Sequence, residues 1–315
     1  MQNTPDPIRN EVELRQHIAA YPSILDQRIQ TRLDDLCLEF IHASQLIMGF
    51  YQAQDQADFF ILPTDQLMIQ SPEQLQLSAV SLPSASVSLI FLIAGVDHVL
   101  RINGQLTESG RLHIQQSYFH CGRAAMRARL WQPETVSATI TPADFIHRAR
   151  YALLASFGAD GKVLISPRGE QAGQIQLLAD GKLLLPERPG NKVAASLRNL
   201  LTDPRIRLAL IIPGCERVLC VQGMARISAA AEKRQQAAVD NRPAKLVIEI
   251  ADVRTHWLNN SALDATFWQL SEQPVSGLTP FAKALATHMK GKGMMGKLTH
   301  LVVDRVVKKD ANNLY

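Results

Sequence analysis

The chain has 315 residues, 46% of them hydrophobic, and carries 33 Lys and Arg against 29 Asp and Glu. This length suits two domains of ordinary size or one large one, and the apolar fraction excludes wholesale disorder. The longest apolar run, residues 87–96, is too short for a membrane-spanning helix, which needs about 20 residues.

The beginning of the chain and its cysteines indicate where the protein works. Residues 1–13 (MQNTPDPIRNEVE) contain neither the basic start nor the apolar stretch of a secretory signal. The four cysteines form no CxxC pair and show no metal-ligand spacing. We therefore expect a cytoplasmic protein with reduced thiols, no membrane association and no metal centre.

In chain order, residues 1–39 are predicted to form one or two covering helices. The prediction depends on apolar residues that recur three or four positions apart, namely Leu25, Ile29, Leu33, Leu36 and Phe40. Residues 87–106 then read as a strand, a turn at Gly95 and a second strand, rich in residues that favour strands.

The sequence repeats itself. FIHAS at 40–44 returns as FIHRA at 145–149, and 87–106 matches 206–225, where Gly214 takes the place of Gly95. Residues 113–131 are echoed by 249–268, both as a strand that runs into a helix, with His120 placed opposite His256. The repeat predicts two similar β units, 40–135 and 140–270; the alternative is that any two β-rich domains show such echoes.

The second unit is predicted as a small barrel with an inserted helix. Its expected strands are 150–157, 162–166, 174–178 and 182–185, separated by turns at Ala159-Asp160-Gly161 and Asp180-Gly181. A helix is expected over 191–201, ended by Thr202-Asp203-Pro204. Short strands with turn signals favour a barrel over a parallel βαβ sheet.

The C-terminal region 271–315 is predicted to be helical and basic. Residues 281–315 hold seven Lys and Arg against two Asp, a net +5, which leaves −1 on the rest of the chain. An acidic partner or nucleic acid could use this charge, but the region lacks the aromatic residues that stack on single strands. A solvated helix with an apolar stripe is favoured, and nucleic-acid binding is not expected.

Two segments of the second unit form a predicted anion site. SPRG at 166–169 ends a strand, and ERPGNK at 187–192 leads into the expected helix. Gly190 permits close approach of the backbone, Asn191 can cap the helix, and the first helical N–H groups attract negative charge. Arg168, Arg188 and Lys192 are the side chains that a phosphate dianion requires.

These motifs resemble those of the pyridoxamine 5′-phosphate oxidase-like family of FMN-binding split β-barrels. SPRGE, PERPGN, SLRN and PG occur in the order of one bacterial branch, over about residues 145–228. In the first half, FIHAS, 89–106 and YFHCGRAAMRARLW at 118–131 resemble the same branch. The resemblance implies a mainly β fold with flanking helices (α+β), built as two tandem split barrels that form a pseudo-dimer.

The resemblance also implies where FMN would bind. Ser166, Arg168, Arg188, Asn191 and Lys192, with Gly190, would hold its phosphate, and the strand end 184–186 would lie beside its ring. The first half has no SPRG, no RPGN and no Lys or Arg between residues 62 and 89, whereas the second half has lost the closing HC and Arg signature.

We therefore hypothesise one composite FMN site and one decayed site. The second half would supply the residues that bind the phosphate. The first half would supply His120, Arg127 and Trp131 as a wall beside the ring or the substrate. Arg123, Arg127 and Trp131 are spaced to share one helix face. The alternative is that His120 and Cys121 are core residues at a strand–helix joint and Trp131 a packing anchor.

The expected function is that of an FMN-dependent oxidoreductase acting on an unidentified small molecule, with NAD(P)H as a candidate donor. No catalytic residue is assigned. The alternatives are a flavin- or haem-binding protein without turnover and a haem-degrading split-barrel enzyme. The chain would work as a monomeric pseudo-dimer or as part of a homodimer.

Overall fold

The computed structural model describes residues 6–20, 23–78, 82–188, 190, 193–258, 262–273, 275–289, 303–305 and 314–315, and the structural statements below concern these residues. Its helices are α1 (Glu11–His17), α2 (Asp35–Ala43), α3 (Arg123–Ala128), α4 (Pro142–Arg148), α5 (Ala195–Thr202), α6 (Ala231–Gln236), α7 (Ala265–Leu270) and α8 (Phe281–His288), with 3-10 turns at Ser23–Arg28 and Thr64–Gln66.

The strands fall into two sets of seven, one in each half of the described chain. The first set is β1 (Leu46–Gln52), β2 (Ala57–Pro63), β3 (Leu67–Ser71), β4 (Gln74–Leu77), β5 (Ala85–Leu92), β6 (Val99–Leu106) and β7 (Arg111–His120). The second set is β8 (Tyr151–Phe157), β9 (Val163–Gly169), β10 (Gln176–Leu177), β11 (Leu183–Glu187), β12 (Arg205–Ile211), β13 (Val218–Ser228) and β14 (Leu246–Leu258).

The two sheets have the same connectivity, which confirms the predicted internal repeat. The first sheet runs β2-β1-β5-β6-β7-β4-β3, and the second, taken in the matching direction, runs β9-β8-β12-β13-β14-β11-β10. All neighbouring strands in both sheets are antiparallel. The fold is thus mainly β with flanking helices, as a tandem pair of split barrels.

The strand register corrects one detail of the repeat. The irregularity next to Gly104 in β6 corresponds to the one at Gly223 in β13, which aligns Arg101 with Cys220. Arg101 pairs with Tyr118 and Cys220 pairs with His256. His256 therefore occupies the position of Tyr118, and the predicted match of His256 with His120 is wrong by two residues. A slip of two keeps each side chain on the same face of a strand, so the apolar pattern did not reveal it.

Three large hydrophobic cores hold the molecule together, one inside each half and one between the halves. In β8, Tyr151, Leu153 and Ala155 enter the core between the halves, whereas Ala152 and Leu154 enter the core of the second half. Such strands are buried on both faces, which explains their nearly continuous apolar sequences. Polar contacts cross the same junction, since Ile165 N donates to Ser88 Oγ at 3.1 Å.

The N-terminal region packs against both halves, and its apolar residues do not form the one continuous helical stripe that the sequence predicted. Leu14 of α1 packs in the core of the second half, while Phe40 of α2 packs in that of the first. Between the two helices lies the 3-10 turn Ser23–Arg28, after which Gln30 forms an isolated bridge with Ser117 of β7. The predicted stripe is interrupted there, although Leu33 and Phe40 are both buried.

Helix α8 lies in the predicted C-terminal helical region 271–315, of which residues 271–273, 275–289, 303–305 and 314–315 are described. Ala284 enters the core of the first half, and His288 Nε2 contacts Asp34 Oδ2 at 2.9 Å at the start of α2. The apolar stripe expected around residues 298–306 lies mainly outside the described residues. Among the helices that the structure describes, none combines the length and the apolar character needed to cross a membrane.

Candidate functional site

A cavity of about 450 Å³ opens between the two halves. Its walls come from β6, β7 and α3 of the first half, from β9, β11 and the start of α5 of the second half, and from residues 15–19 at the end of α1. A volume of this size is typical of small-molecule sites. Two pieces of the chain that are far apart in sequence therefore form one site.

Residues that the sequence analysis assigned to a phosphate site lie at the second-half end of the cavity, which is called the phosphate-type end below. Ser166 and Arg168 on β9 line the cavity, and the Ser166 residue is buried. Arg168 Nη2 donates to Ser196 Oγ at 2.6 Å and lies 3.1 Å from Glu187 Oε2. Its Nε is buried and has no hydrogen-bond partner among the described residues.

The N-terminus of α5 completes this end. The helix begins at Ala195 and not at residue 191, because Ala194 adopts a left-handed conformation with φ 52°. Alanine has no side chain that could cap the first N–H groups, and Val193, Ala194 and Ala195 all line the cavity. An uncapped helix start beside Arg168 is suited to bind an anion.

Arg188 lines the cavity, but its charge is already paired. Its Nε donates to both carboxylate oxygens of Glu170 at 3.0 Å, and Nη2 donates to Gln174 Oε1 at 2.9 Å. The Tyr315 ring lies 5.3 Å from the guanidinium carbon. Burial raises the pKa of Glu170 to about 7, against the lowering effects of Arg188 and Arg127. A phosphate contact of Arg188 therefore stays a prediction.

The other predicted residues of this loop differ in what the structure shows of them. Gly190 lines the cavity, and among the described residues an added Cβ there would meet Arg188 O alone, at 3.8 Å. Asn191 and Lys192 lie outside the described residues. Their predicted roles in phosphate binding thus remain predictions.

His120 and Arg127 line the first-half wall of the cavity, and their predicted place beside a flavin stays a prediction. Burial and the nearby Arg101, Arg28 and Arg168 hold the pKa of His120 well below its ordinary value, so its imidazole is neutral at neutral pH. Arg127 Nε donates to Gly169 O at 2.9 Å, which joins α3 to β9 across the junction.

Trp131 is not among the residues that line the cavity. Helix α3 ends at Ala128, and Arg129 adopts a left-handed conformation with φ 46°, so the chain turns away before Trp131. The predicted common helix face of Arg123, Arg127 and Trp131 is therefore wrong. Trp131 packs in the core between the halves, with its ring 6.0 Å from that of Phe267, which is the position of a packing anchor.

The strand of the first half that is equivalent to β9 lacks the anion-binding side chains of the SPRG segment. The register of β1 with β2 and of β8 with β9 aligns Ser166 with Phe60 and Arg168 with Leu62. Only residues 78–84 join β4 to β5, whereas the α5 helix is inserted between β11 and β12. The described residues therefore carry the phosphate-type end in one half only.

Sequence reasoning missed several cavity residues, notably Arg28, Arg101, Tyr118, Glu170 and Glu187. The two glutamates are adjacent in sequence to the SPRG and RPGN motifs, which was an available signal. Arg101 and Tyr118 meet only through the pairing of β6 with β7.

Two other clusters, outside the cavity, also escaped the sequence analysis, because their members are distant in the chain. Each brings together an Asp, a Cys and a His with ligand-type atoms within 4.8 Å of one another. They are Asp34, Cys37 and His288, and Asp58, Cys220 and His256. In both clusters the imidazole and carboxylate contact each other at 2.9–3.0 Å.

Comparison with known proteins places the second half in a family. The profile of the pyridoxamine 5′-phosphate oxidase family matches residues 140–263. No curated protein shows significant similarity to the chain.

Solved structures that resemble part of the chain include a histidine-to-alanine variant of HupZ from Group A Streptococcus (20% identity, TM-score 0.31), which covers 38% of this chain and all of that one. A NimC/NimA family protein from Clostridium acetobutylicum is 15% identical with a TM-score of 0.28, over 37% of this chain and 90% of that one. General stress protein 26 from Bacillus anthracis is 14% identical with a TM-score of 0.28, over 37% and 93% of the two chains.

The matched profile covers the half that carries the SPRG and RPGN motifs, and the same order of strands recurs in the other half. Residues 140–263 are therefore similar to the pyridoxamine 5′-phosphate oxidase family, and the two halves of the described chain share the strand order of a tandem pair of split barrels.

Proposed function

We propose that the chain binds one FMN in the cavity between its halves and acts as an FMN-dependent oxidoreductase on a small organic molecule. The observation that carries the proposal is the composite wall of this cavity. Ser166, Arg168 and the start of α5 come from one half, whereas His120 and Arg127 come from the other.

The charge of the cavity supports a phosphorylated ligand. Among the described lining residues, eight arginines and lysines face two glutamates: Arg15, Arg28, Arg101, Arg123, Arg127, Arg168, Arg188 and Lys245 against Glu170 and Glu187. A concave site with an excess of one sign of charge attracts an oppositely charged ligand and strengthens its binding. The dianionic phosphate of FMN meets this requirement.

The residues present fit FMN in distinct roles. The Ser166 hydroxyl, the Arg168 guanidinium and the first N–H groups of α5 would hold the phosphate. Pro186 at the end of β11 lines the cavity, which agrees with a ring lying beside that strand end. The neutral His120 can donate or accept one hydrogen bond at the first-half wall without adding charge.

When bound, FMN supplies the hydride or electron transfer, and the protein binds it, orients it and tunes its ring. The core between the halves shields one side of the site from water, because it packs the strands and helices of both halves together. Both walls lie in one chain, so we propose that a single copy suffices. NAD(P)H is proposed as the donor on the basis of the family resemblance alone.

The absorption spectrum of the purified protein tests the proposal. We expect the visible flavin bands and release of FMN on denaturation. A Soret band would favour the haem-binding alternative, and a colourless protein that takes up neither group would overturn the proposal. Bound flavin that NAD(P)H does not reduce and O₂ does not reoxidise would favour a carrier without turnover.

A further inference from the structure

A second group of cationic side chains lies in the first-half wall of the cavity. Arg101 is only 2% exposed, and its Nη1 donates to Tyr118 Oη at 2.6 Å. Its Nε and Nη2 are buried and have no hydrogen-bond partner among the described residues. The guanidinium carbons of Arg101 and Arg28 lie 5.1 Å and 5.5 Å from the Tyr118 ring centroid.

This arrangement is unfavourable unless an anion completes it. In the described part of the chain, neither Arg101 nor Arg28 forms an ion pair with a carboxylate. A buried charge without a partner is costly. The Tyr118 ring offsets part of this cost through cation–π contacts with both guanidinium groups, but it provides no acceptor for Arg101 Nε and Nη2. Arg168 and Arg188, by contrast, each contact a glutamate.

The fold itself does not require an arginine at this place. The equivalent strand position in the second half is Cys220, which is buried in the core between the halves. A small apolar side chain is thus sufficient for packing at the equivalent position of the same fold. The architecture alone therefore does not account for the charge of Arg101.

We propose that Arg101, Arg28 and Tyr118 form a second oxyanion subsite, and that the small molecule handled by the protein carries a carboxylate or phosphate group. The two unpartnered N–H groups of Arg101 offer the planar fork that binds such groups in a bidentate manner. The subsite stands on the geometry alone; only its assignment to a substrate depends on the proposed function.

Isothermal titration with inorganic phosphate and, separately, with acetate tests the subsite at constant ionic strength. The FMN-loaded protein is used, since its phosphate-type end is then occupied. Arg101→Met should weaken binding of the anion by about tenfold or more, because a charge-assisted bidentate contact is lost. Arg111→Met, which removes an exposed arginine of β7, is the matched control and should bind as the wild type does. Whichever of phosphate and acetate binds more tightly identifies the group preferred.

Stability supplies a second measurement. Without an anion, Arg101→Met should melt at the same temperature as the wild type or higher, because it removes a buried unpaired charge. If that variant does not fold, Arg101→Lys, which keeps the charge and loses the fork, should bind the anion less tightly than the wild type. Anion affinity that is unchanged in Arg101→Met, or in Arg101→Lys where only that variant folds, would overturn the subsite.

Failure of the flavin proposal can be recognised separately. If the wild type binds no FMN, the flavin-free Arg168→Met variant retains Arg101 while lacking the cation at the phosphate-type end. It should still bind phosphate, and adding Arg101→Met to it should abolish that binding. Equal phosphate binding by the single and double variants would contradict the second subsite, whatever the fate of the flavin.

Discussion

Replacement of Arg168 by methionine probes the phosphate-type end of the cavity most selectively. Arg168 lies on β9, its side chain is 15% exposed, and it contacts both Ser196 at the start of α5 and Glu187. Methionine keeps much of the length of the side chain while removing its charge and its donors. The change therefore removes the proposed phosphate contact with little effect on packing.

The expected magnitude follows from these contacts. Loss of a hydrogen bond to a charged group costs about 1.5–3 kcal/mol, which corresponds to a roughly 10- to 150-fold increase in the Kd for FMN. Glu187, with a side chain only 13% exposed, loses its partner and would repel the phosphate. The effect should thus lie toward the upper end, and a second substitution, Glu187→Gln, should restore part of the affinity.

Quenching of FMN fluorescence on titration gives the Kd of each variant. Arg226→Met is the matched control, because Arg226 also pairs with a glutamate, Glu249, and does not line the cavity. It should bind FMN as the wild type does. Equal Kd values for the wild type and Arg168→Met would refute the assignment of the phosphate end.

Three further substitutions test other parts of the account. Gly169→Ala should lower the free energy of unfolding by about 1–3 kcal/mol, because its Cβ would lie 1.7 Å from Ala124 O across the junction. Denaturant titration should show no such loss for Gly190→Ala, where the nearest atom of the described residues is 3.8 Å away. Because burial raises the pKa of Glu170 to about 7, its contribution to stability is present below its ordinary pKa near 4.5 and is lost as the pH rises through 7. Glu170→Gln should therefore show a flatter decline in stability between about pH 5 and 8 than the wild type, and parallel curves would contradict this. Trp131→Phe should leave the Kd for FMN unchanged, because Trp131 packs with Phe267 away from the cavity; a clear loss of affinity would restore it to the ring-side wall.

Much of the fold could be predicted because its signals are local. Strands buried on both faces give the continuous apolar runs at 89–94 and 208–212, and Gly95 and Gly214 mark the turns with positive φ of 82° and 92°. The register in which neighbouring strands pair could not be predicted from such local signals. A shift of two residues keeps every side chain on the same face of its strand. Because residues 120 and 256 are both histidines, the sequence suggested that they match, which the pairing of β13 with β14 excludes.

The difference between local and tertiary signals also explains which residues of the site could be predicted. SPRG is a contiguous segment, and Ser166 and Arg168 indeed reach the cavity. The pairing of Arg188 with Glu170 and the meeting of Arg101 with Tyr118 depend on tertiary contacts that no spacing reveals. Trp131 was misplaced because the helical spacing assumed a longer helix. Arg129 ends α3 in a left-handed conformation that is uncommon for residues other than glycine and asparagine.

The central claim is that two unequal barrels share one flavin, and the stoichiometry of binding tests it directly. Titration of flavin-free protein with FMN at concentrations well above the Kd should show a sharp end point at one FMN per chain. An end point at two equivalent flavins per chain, or the absence of any saturable binding, would contradict the account.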